Sequence, residues 1–228
     1  MIKEVNINGY NCQCALNKES FIVCYMIYPA LEPFEEEWLD KMSQDLKVNL
    51  VAVYVPADKW NDVLTPWPEP GEVKGYEPFA GKAPEFLKML TGTILPEVEK
   101  ECGMDADIKR DLMGVSLGGL FTLWQWMICD AFDSIACLSG SFWYYGFLDW
   151  FEKQPTPSKH GKAYFLLGEE EPKVHIKAYR TVGVNTETIV NTLKKDGIPV
   201  EFDWVPGNHF SCPVHRAEKA LRSLYPPH

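Results

Sequence analysis

The pentapeptide Gly114-Val115-Ser116-Leu117-Gly118 sets a hydroxyl midway between two glycines. That spacing suits a tight strand-to-helix turn, because the backbone angles at its apex are unfavourable and the flanking glycines carry no Cβ to collide across it. Such a turn lifts the Ser116 hydroxyl clear of its strand. It also puts Ser116 at the start of a helix opening at Leu117, whose free amide can donate to a developing oxyanion with the helix dipole behind it. The chemistry this favours is attack on an acyl carbon. The plainer alternative is a packing corner of small residues, and the partners of Ser116 decide between the two.

A serine hydroxyl at neutral pH is a weak nucleophile and needs a base within hydrogen-bond reach. Of the five histidines, His228 is terminal and His160 lies in the polar run Thr156-Pro157-Ser158-Lys159-His160-Gly161. His175 and His215 fall in segments of helical spacing, where a surface position is the default. His209 differs, because Pro206-Gly207-Asn208-His209-Phe210 directly follows the strand-like Val200–Val205. This places the imidazole at the C-terminal edge of a strand, where open α/β sheets gather their sites. An orienting carboxylate is expected after the preceding strand. There Ala163–Leu167 runs into Gly168-Glu169-Glu170-Glu171-Pro172, three glutamates that could equally be solvated charge or the acidic first turn of a helix. Spacing does not choose among the three, and Asp203, inside the later strand, is a weaker candidate.

These groups need a scaffold to bring them together. Phe21–Tyr28 and Val48–Val55 are nearly continuous apolar runs rich in β-branched and aromatic residues, as in strands buried on both faces. Leu112–Val115, Ser134–Leu138, Ala163–Leu167 and Val200–Val205 continue the series. Between them Phe34–Leu46, Pro84–Cys102, Leu117–Cys129, Lys173–Lys195 and Pro213–Leu224 carry helical spacing. The alternation predicts one α/β domain over residues 1–228, a mostly parallel central sheet with helices on both faces. Pro84 suits a first helical turn, Pro96 should kink or split its helix, and Lys194-Lys195-Asp196-Gly197 reads as a helix stop. The helix opened by Leu117 is expected to be amphipathic. From Pro56 to Gly81 runs a loop dense in Pro and Gly, of a length usually functional or disordered, whose tryptophans favour packing.

Composition limits the partners. A formal charge of −10 over 228 residues, with no basic cluster, repels phosphate backbones and anionic lipid. Nucleic acid and membrane surfaces are excluded as partners; a small molecule fits, and self-association into a homo-oligomer stays open. The N-terminus has no sustained apolar stretch, and no uncharged run reaches the ~18 residues a membrane span needs. Seven dispersed cysteines suit reduced thiols in a cytoplasmic protein. Cys12-Gln13-Cys14 is too closely spaced for a zinc knuckle and suits a strand that buries both thiols. No metal or cofactor is implied.

The residues carry a family likeness. Leu95-Pro96-Glu97-Val98-Glu99-Lys100, Arg110-Asp111-Leu112-Met113-Gly114-Val115-Ser116-Leu117-Gly118-Gly119-Leu120, Leu138-Ser139-Gly140-Ser141-Phe142-Trp143 and Pro206-Gly207-Asn208-His209-Phe210 together resemble the esterase D-like "putative esterase" family of α/β-hydrolases. That family includes enterochelin and feruloyl esterases, S-formylglutathione hydrolases and mycolyltransferases, and the likeness runs from about Phe21 to the C-terminus. It implies an α/β-hydrolase fold, hydrolysis of carboxylic esters through an acyl-serine, and the triad order Ser116, glutamate, His209. It also implies a G-x-x-[DE] frame for the acid, which Gly168-Glu169-Glu170-Glu171 meets with Glu171. Three departures are visible: the N-terminal strands are reduced to one or two within Ile2–Leu16, Met113 and Val115 are larger or less polar than the usual neighbours of the serine, and Pro29-Ala30-Leu31 replaces a glycine-containing turn. Pro29 has no N–H, so the second oxyanion donor falls to Ala30, with Leu31 the alternative.

The aromatic stretch Ser141–Phe151 follows the strand after the serine helix, so Trp143 and Tyr144 are expected to wall a pocket for a small or aromatic ester. Trp67, with Trp60 and Tyr76, is expected to close its other side. The competing reading is that these rings bury a loop against the core. Two other functions use the same residues: acyl transfer to a sugar or thiol, and ligand binding on a hydrolase scaffold without catalysis.

Overall fold

In a computed structural model, the structure describes residues 1–31, 33–70, 78–105, 107–157 and 161–226. Tyr76, His160 and His228 lie outside them. Eight strands form the main sheet: β1 (Ile2–Ile7), β2 (Tyr10–Ala15), β3 (Ile22–Pro29), β4 (Asn49–Val55), β7 (Lys109–Val115), β8 (Ile135–Leu138), β9 (Ala163–Gly168) and β10 (Val200–Val205). A two-stranded ladder, β5 (Pro68–Glu69) with β6 (Phe79–Ala80), stands apart. In the sheet the order is β1-β2-β4-β3-β7-β8-β9-β10, antiparallel at the β1–β2 and β2–β4 pairs and parallel from β4 to β10. The fold is therefore of the α/β-hydrolase class, with the two N-terminal strands forming one edge.

Strand alternation divides the core. Tyr25 and Ile27 of β3 and Val51, Val53 and Val55 of β4 face one cluster, with α3 (Ala83–Met89), α4 (Leu95–Cys102), α5 (Leu117–Ile128), α6 (Phe147–Phe151) and α7 (Val182–Lys195). Cys24, Met26, Leu50 and Ala52 face the other, with α1 (Glu36–Leu46) and α8 (Pro213–Leu224). Both sheet faces are thus covered, which is why these strands read as unbroken apolar runs. Cys12 and Cys14 are buried, and all seven cysteines are free.

Some elements differ from the sequence expectation. The helix with Pro96 is split, but ahead of the proline and not at it: the π-helical turn Leu90–Ile94 separates α3 from α4, and the Leu95 amide bonds to the Leu90 carbonyl. A wider turn removes the demand for a Pro96 N–H at that point. Residues 171–181 do not join α7; they form two 3₁₀ turns, Glu171–Lys173 and Ala178–Thr181, and His175 is exposed between them. Pro172 in the first of these turns fits a chain held tight by the burial of Glu171. Helix α5 is not amphipathic: Leu117 through Met127 are all buried, because its outer side is covered as fully as its sheet side. The long loop contains α2 (Ala57–Val63).

Candidate active site

Ser116 leaves β7 at φ 57° and ψ −122°, outside the regions favoured by L-residues, and directly precedes α5. The sequence permits that turn through its glycines. A Cβ on Gly114 would lie 2.2 Å from the Gly118 carbonyl oxygen, and one on Gly118 would lie 2.9 Å from the Ile27 carbonyl oxygen. The turn is thus closed by backbone contact that only glycine allows. The amide of Leu117 sits in the first turn of α5, where helix N–H groups have no intrahelical acceptor.

His209 lies on the loop between β10 and α8. Gly207, at φ 98°, starts that loop, and the Asn208 side chain accepts a bond from the Phe210 amide at 3.0 Å while Ser211 Oγ accepts from the Asn208 amide at 2.9 Å. A tight polar turn therefore aims the ring. Its Nε2 is 3.0 Å from Ser116 Oγ and its Nδ1 2.8 Å from Glu171 Oε2. An ionised carboxylate only accepts, so Nδ1 carries the proton and the Ser116 hydroxyl donates to Nε2. Ser116 and Glu171, 93 and 38 positions from His209 in the chain, meet it at the ends of β7, β9 and β10.

Of the glutamate run only Glu171 turns inward, 5% exposed, while Glu169 and Glu170 are exposed, their backbone amides bonded to the Val205 and Gly207 carbonyls. Glu171 Oε1 accepts from Ser139 Oγ at 2.7 Å, the Gly168 amide at 2.7 Å and Arg216 Nη1 at 3.0 Å, leaving Oε2 to the histidine. Burial pushes this carboxyl's pKa up, but the hydrogen bonds from His209, Ser139 and Gly168, with the His209 charge, outweigh it and hold it below the usual carboxylate range. Asp203 is engaged elsewhere, accepting from Tyr164 Oη at 2.8 Å and pairing with Lys219 at 3.0 Å.

Arg216 and Ser139 are the site residues that sequence reasoning missed. Arg216, 4% exposed, donates through Nη1 to Ser139 Oγ at 2.6 Å and through Nη2 to the Asn208 carbonyl at 2.6 Å. Ser139 itself has φ 48°. A lone arginine in the amphipathic pattern of Pro213–Leu224 reads as surface charge, so nothing local marks it; Ser139, in Leu138–Trp143, is a small polar residue at a strand end, and its partners are distant in the chain.

Ser116 and His209 open onto a cavity of about 400 Å³. Tyr28, Leu31, Phe34, Trp60, Val115 and Phe210 are among its lining residues. Trp67, Trp143 and Tyr144, expected as its walls, do not border it. The Tyr144 hydroxyl donates to the Trp67 carbonyl at 2.6 Å and Trp67 Nε1 donates to the Tyr145 carbonyl at 3.0 Å, while Trp143 packs on Tyr179 with ring centroids 4.1 Å apart. These rings knit the long loop to the 141–151 segment, as the packing alternative has it; the wall is built from α2 and the end of β3 instead. Ala30 also departs from expectation. Its amide donates to the Val55 carbonyl at 3.0 Å and is spent in extending the β3–β4 ladder.

A family model described as "Putative esterase" matches residues 34–210. The chain belongs to the putative esterase family. Its activity is accordingly that of a carboxylic ester hydrolase. This esterase resembles solved structures across 99% of its length: an IroE-like serine hydrolase from Shewanella oneidensis at 16% identity and TM-score 0.79, covering 79% of that chain. The siderophore hydrolase EstB from Aspergillus nidulans aligns at 17% identity and TM-score 0.71 over 99% of the esterase and 94% of EstB. The enterobactin hydrolase IroE in complex with DFP aligns at 19% identity and TM-score 0.71, with 99% and 94% covered. At such identities the likeness speaks for the fold. No curated protein matches the esterase chain. Among the described residues, no group of His, Cys, Asp and Glu is placed to hold a metal ion, and no helix is long and apolar enough to cross a membrane.

Proposed function

We propose that the chain cleaves small-molecule esters by two-step acyl transfer, with Ser116 as nucleophile, His209 as general base and acid, and Glu171 holding the imidazole. Ser116 Oγ adds to the ester carbonyl as its proton passes to His209 Nε2, and the carbonyl oxygen becomes the oxyanion. Collapse of the intermediate breaks the bond to the alcohol oxygen, which takes the proton from His209. Water then adds to the acyl-serine, giving a proton to His209, and the carboxylic acid leaves as Ser116 regains its hydrogen. Glu171 stabilises the imidazolium formed in each half.

The oxyanion falls to the Leu117 amide and to that of Leu31, not of Ala30. Leu31 follows the engaged Ala30 and borders the same cavity as Ser116. The chain of bonds from Ser116 through His209 to Glu171, at 3.0 and 2.8 Å, supports this reading most strongly. We read residues 1–228 as one domain, since both apolar clusters lie on the same sheet. Its seven free thiols suit a reducing cytoplasm.

The test is labelling with a fluorophosphonate probe, together with hydrolysis of p-nitrophenyl acetate. Wild type should label at Ser116 and turn over, and Ser116→Ala should do neither. A Ser116→Ala protein with the wild-type rate ends the proposal. Product analysis with added sugar or thiol acceptors separates hydrolysis from acyl transfer.

A further inference from the structure

The cavity at Ser116 has an unusual border for so acidic a chain. None of its described lining residues is Asp, Glu, Lys or Arg. Its inner wall is Tyr28, Phe34, Trp60 and Val115, and its polar side chains besides Tyr28, Ser116 and His209 reduce to Asn61. The rim is apolar as well. Leu31 is 76% exposed, Phe210 85% and Val214 44%, and these three large exposed hydrophobics lie around one opening. Exposed apolar side chains scattered singly carry no message, but a group of them around a concave site marks a surface kept for an apolar ligand.

Resting on the serine mechanism above, we propose that the substrate is an uncharged ester whose acyl group is an apolar chain or ring seated against Phe34 and Trp60, and that the site rejects acyl groups ending in a charge. Two physical effects support this. Each methylene leaving water for this wall favours binding, while a carboxylate or ammonium taken into the same place loses hydration and meets no counter-charge among the described lining residues. The net charge of −10 adds a field that disfavours anions before they arrive. At about 400 Å³ the cavity is in the lower part of the range of small-molecule sites, so it suits an acyl group of moderate length rather than a polymer segment.

The experiment measures kcat/KM on p-nitrophenyl esters that differ only in the acyl part. From acetate to hexanoate the rate constant should climb by roughly two- to fourfold per methylene, the increment expected from its burial. At fixed length, octanoate is compared with the monoester of suberate, which ends in a carboxylate, and with 8-aminooctanoate, which ends in an ammonium. Octanoate should exceed both charged esters by on the order of a hundredfold, the scale of an uncompensated charge entering an apolar site. In Val214→Lys, on the exposed rim, the ratio of octanoate to suberate should fall about two- to fivefold as a cation becomes available to the terminal carboxylate. Charged esters hydrolysed as fast as octanoate, or no gain with chain length, overturn the proposal. Ser116→Ala is run on every ester. If it abolishes all turnover while selectivity is absent, the serine mechanism stands and the substrate class falls. If it retains turnover, the mechanism itself has failed.

Discussion

The guanidinium of Arg216 lies 3.0 Å from the outer oxygen of Glu171, with both side chains 4% exposed. The pair divides the carboxylate: Oε1 is taken by Arg216, Ser139 and Gly168, and Oε2 is left facing His209. Through its other nitrogen Arg216 also holds the Asn208 carbonyl, one residue before the histidine. One buried cation thus ties together the loops after β8, β9 and β10.

Arg216 is therefore a positioning residue, and Arg216→Met should separate kcat from KM. Displacing the His209 loop by about an ångström can cost on the order of a hundredfold in kcat, while the Tyr28, Phe34 and Trp60 wall of the cavity belongs to other elements and keeps the change in KM smaller. Removing the guanidinium also leaves the buried Glu171 with only Ser139, Gly168 and His209 as partners, a destabilisation of up to about 3 kcal/mol by denaturant unfolding. Arg216→Lys keeps the charge and should recover part of kcat. An equal rise in KM, or no recovery with lysine, would assign Arg216 to packing alone.

Glu171 predicts an acid-side change in stability. Its folded pKa lies below its unfolded value of about 4.5, so it contributes stability above that value and loses it as pH falls through the folded pKa. Urea midpoints of wild type and Glu171→Gln, compared at pH 6 and pH 3, isolate this group. Wild type should lose more stability than the variant between the two. A constant gap would mean that the carboxyl is not held ionised by its partners.

A glycine of the Ser116 turn and one of the π-helical turn predict opposite outcomes. Gly114→Ala forces a Cβ to within 2.2 Å of backbone and should cost about 1–3 kcal/mol or more. At Gly92, on the exposed π-helical turn, an added Cβ meets nothing within 4 Å, and Gly92→Ala should be neutral or gain roughly 0.4–1 kcal/mol. Thermal and denaturant unfolding of both variants checks the pair.

Leu31→Pro deletes the amide proposed as second oxyanion donor. It should lower kcat by roughly a hundredfold to a thousandfold with the far-ultraviolet spectrum and melting temperature retained. An unchanged kcat in the folded variant would move the donor elsewhere.

Much of this molecule was legible in the chain itself. Apolar runs such as Val48–Val55 and the glycine spacing about Ser116 are local properties: strand burial and a tight turn leave their mark on adjacent residues. Chain order brought Ser116, the glutamate run and His209 to the ends of β7, β9 and β10 for the same reason, since a parallel sheet puts all of those ends on one edge. Tertiary structure decided what depends on distant neighbours. Glu171 turns inward because Arg216, 45 residues away, and Ser139, 32 away, wait there, whereas Glu169 and Glu170 have the same chemistry and stay outside. Ala30 loses its amide to Val55 across a strand pair. The expected aromatic wall of Trp67, Trp143 and Tyr144 became loop packing, and Phe34 and Trp60 took its place by the serine. An aromatic ring favours burial in every context, so the sequence marks it for packing; only the packed fold determines against what, and which rings, such as Phe210, stay exposed.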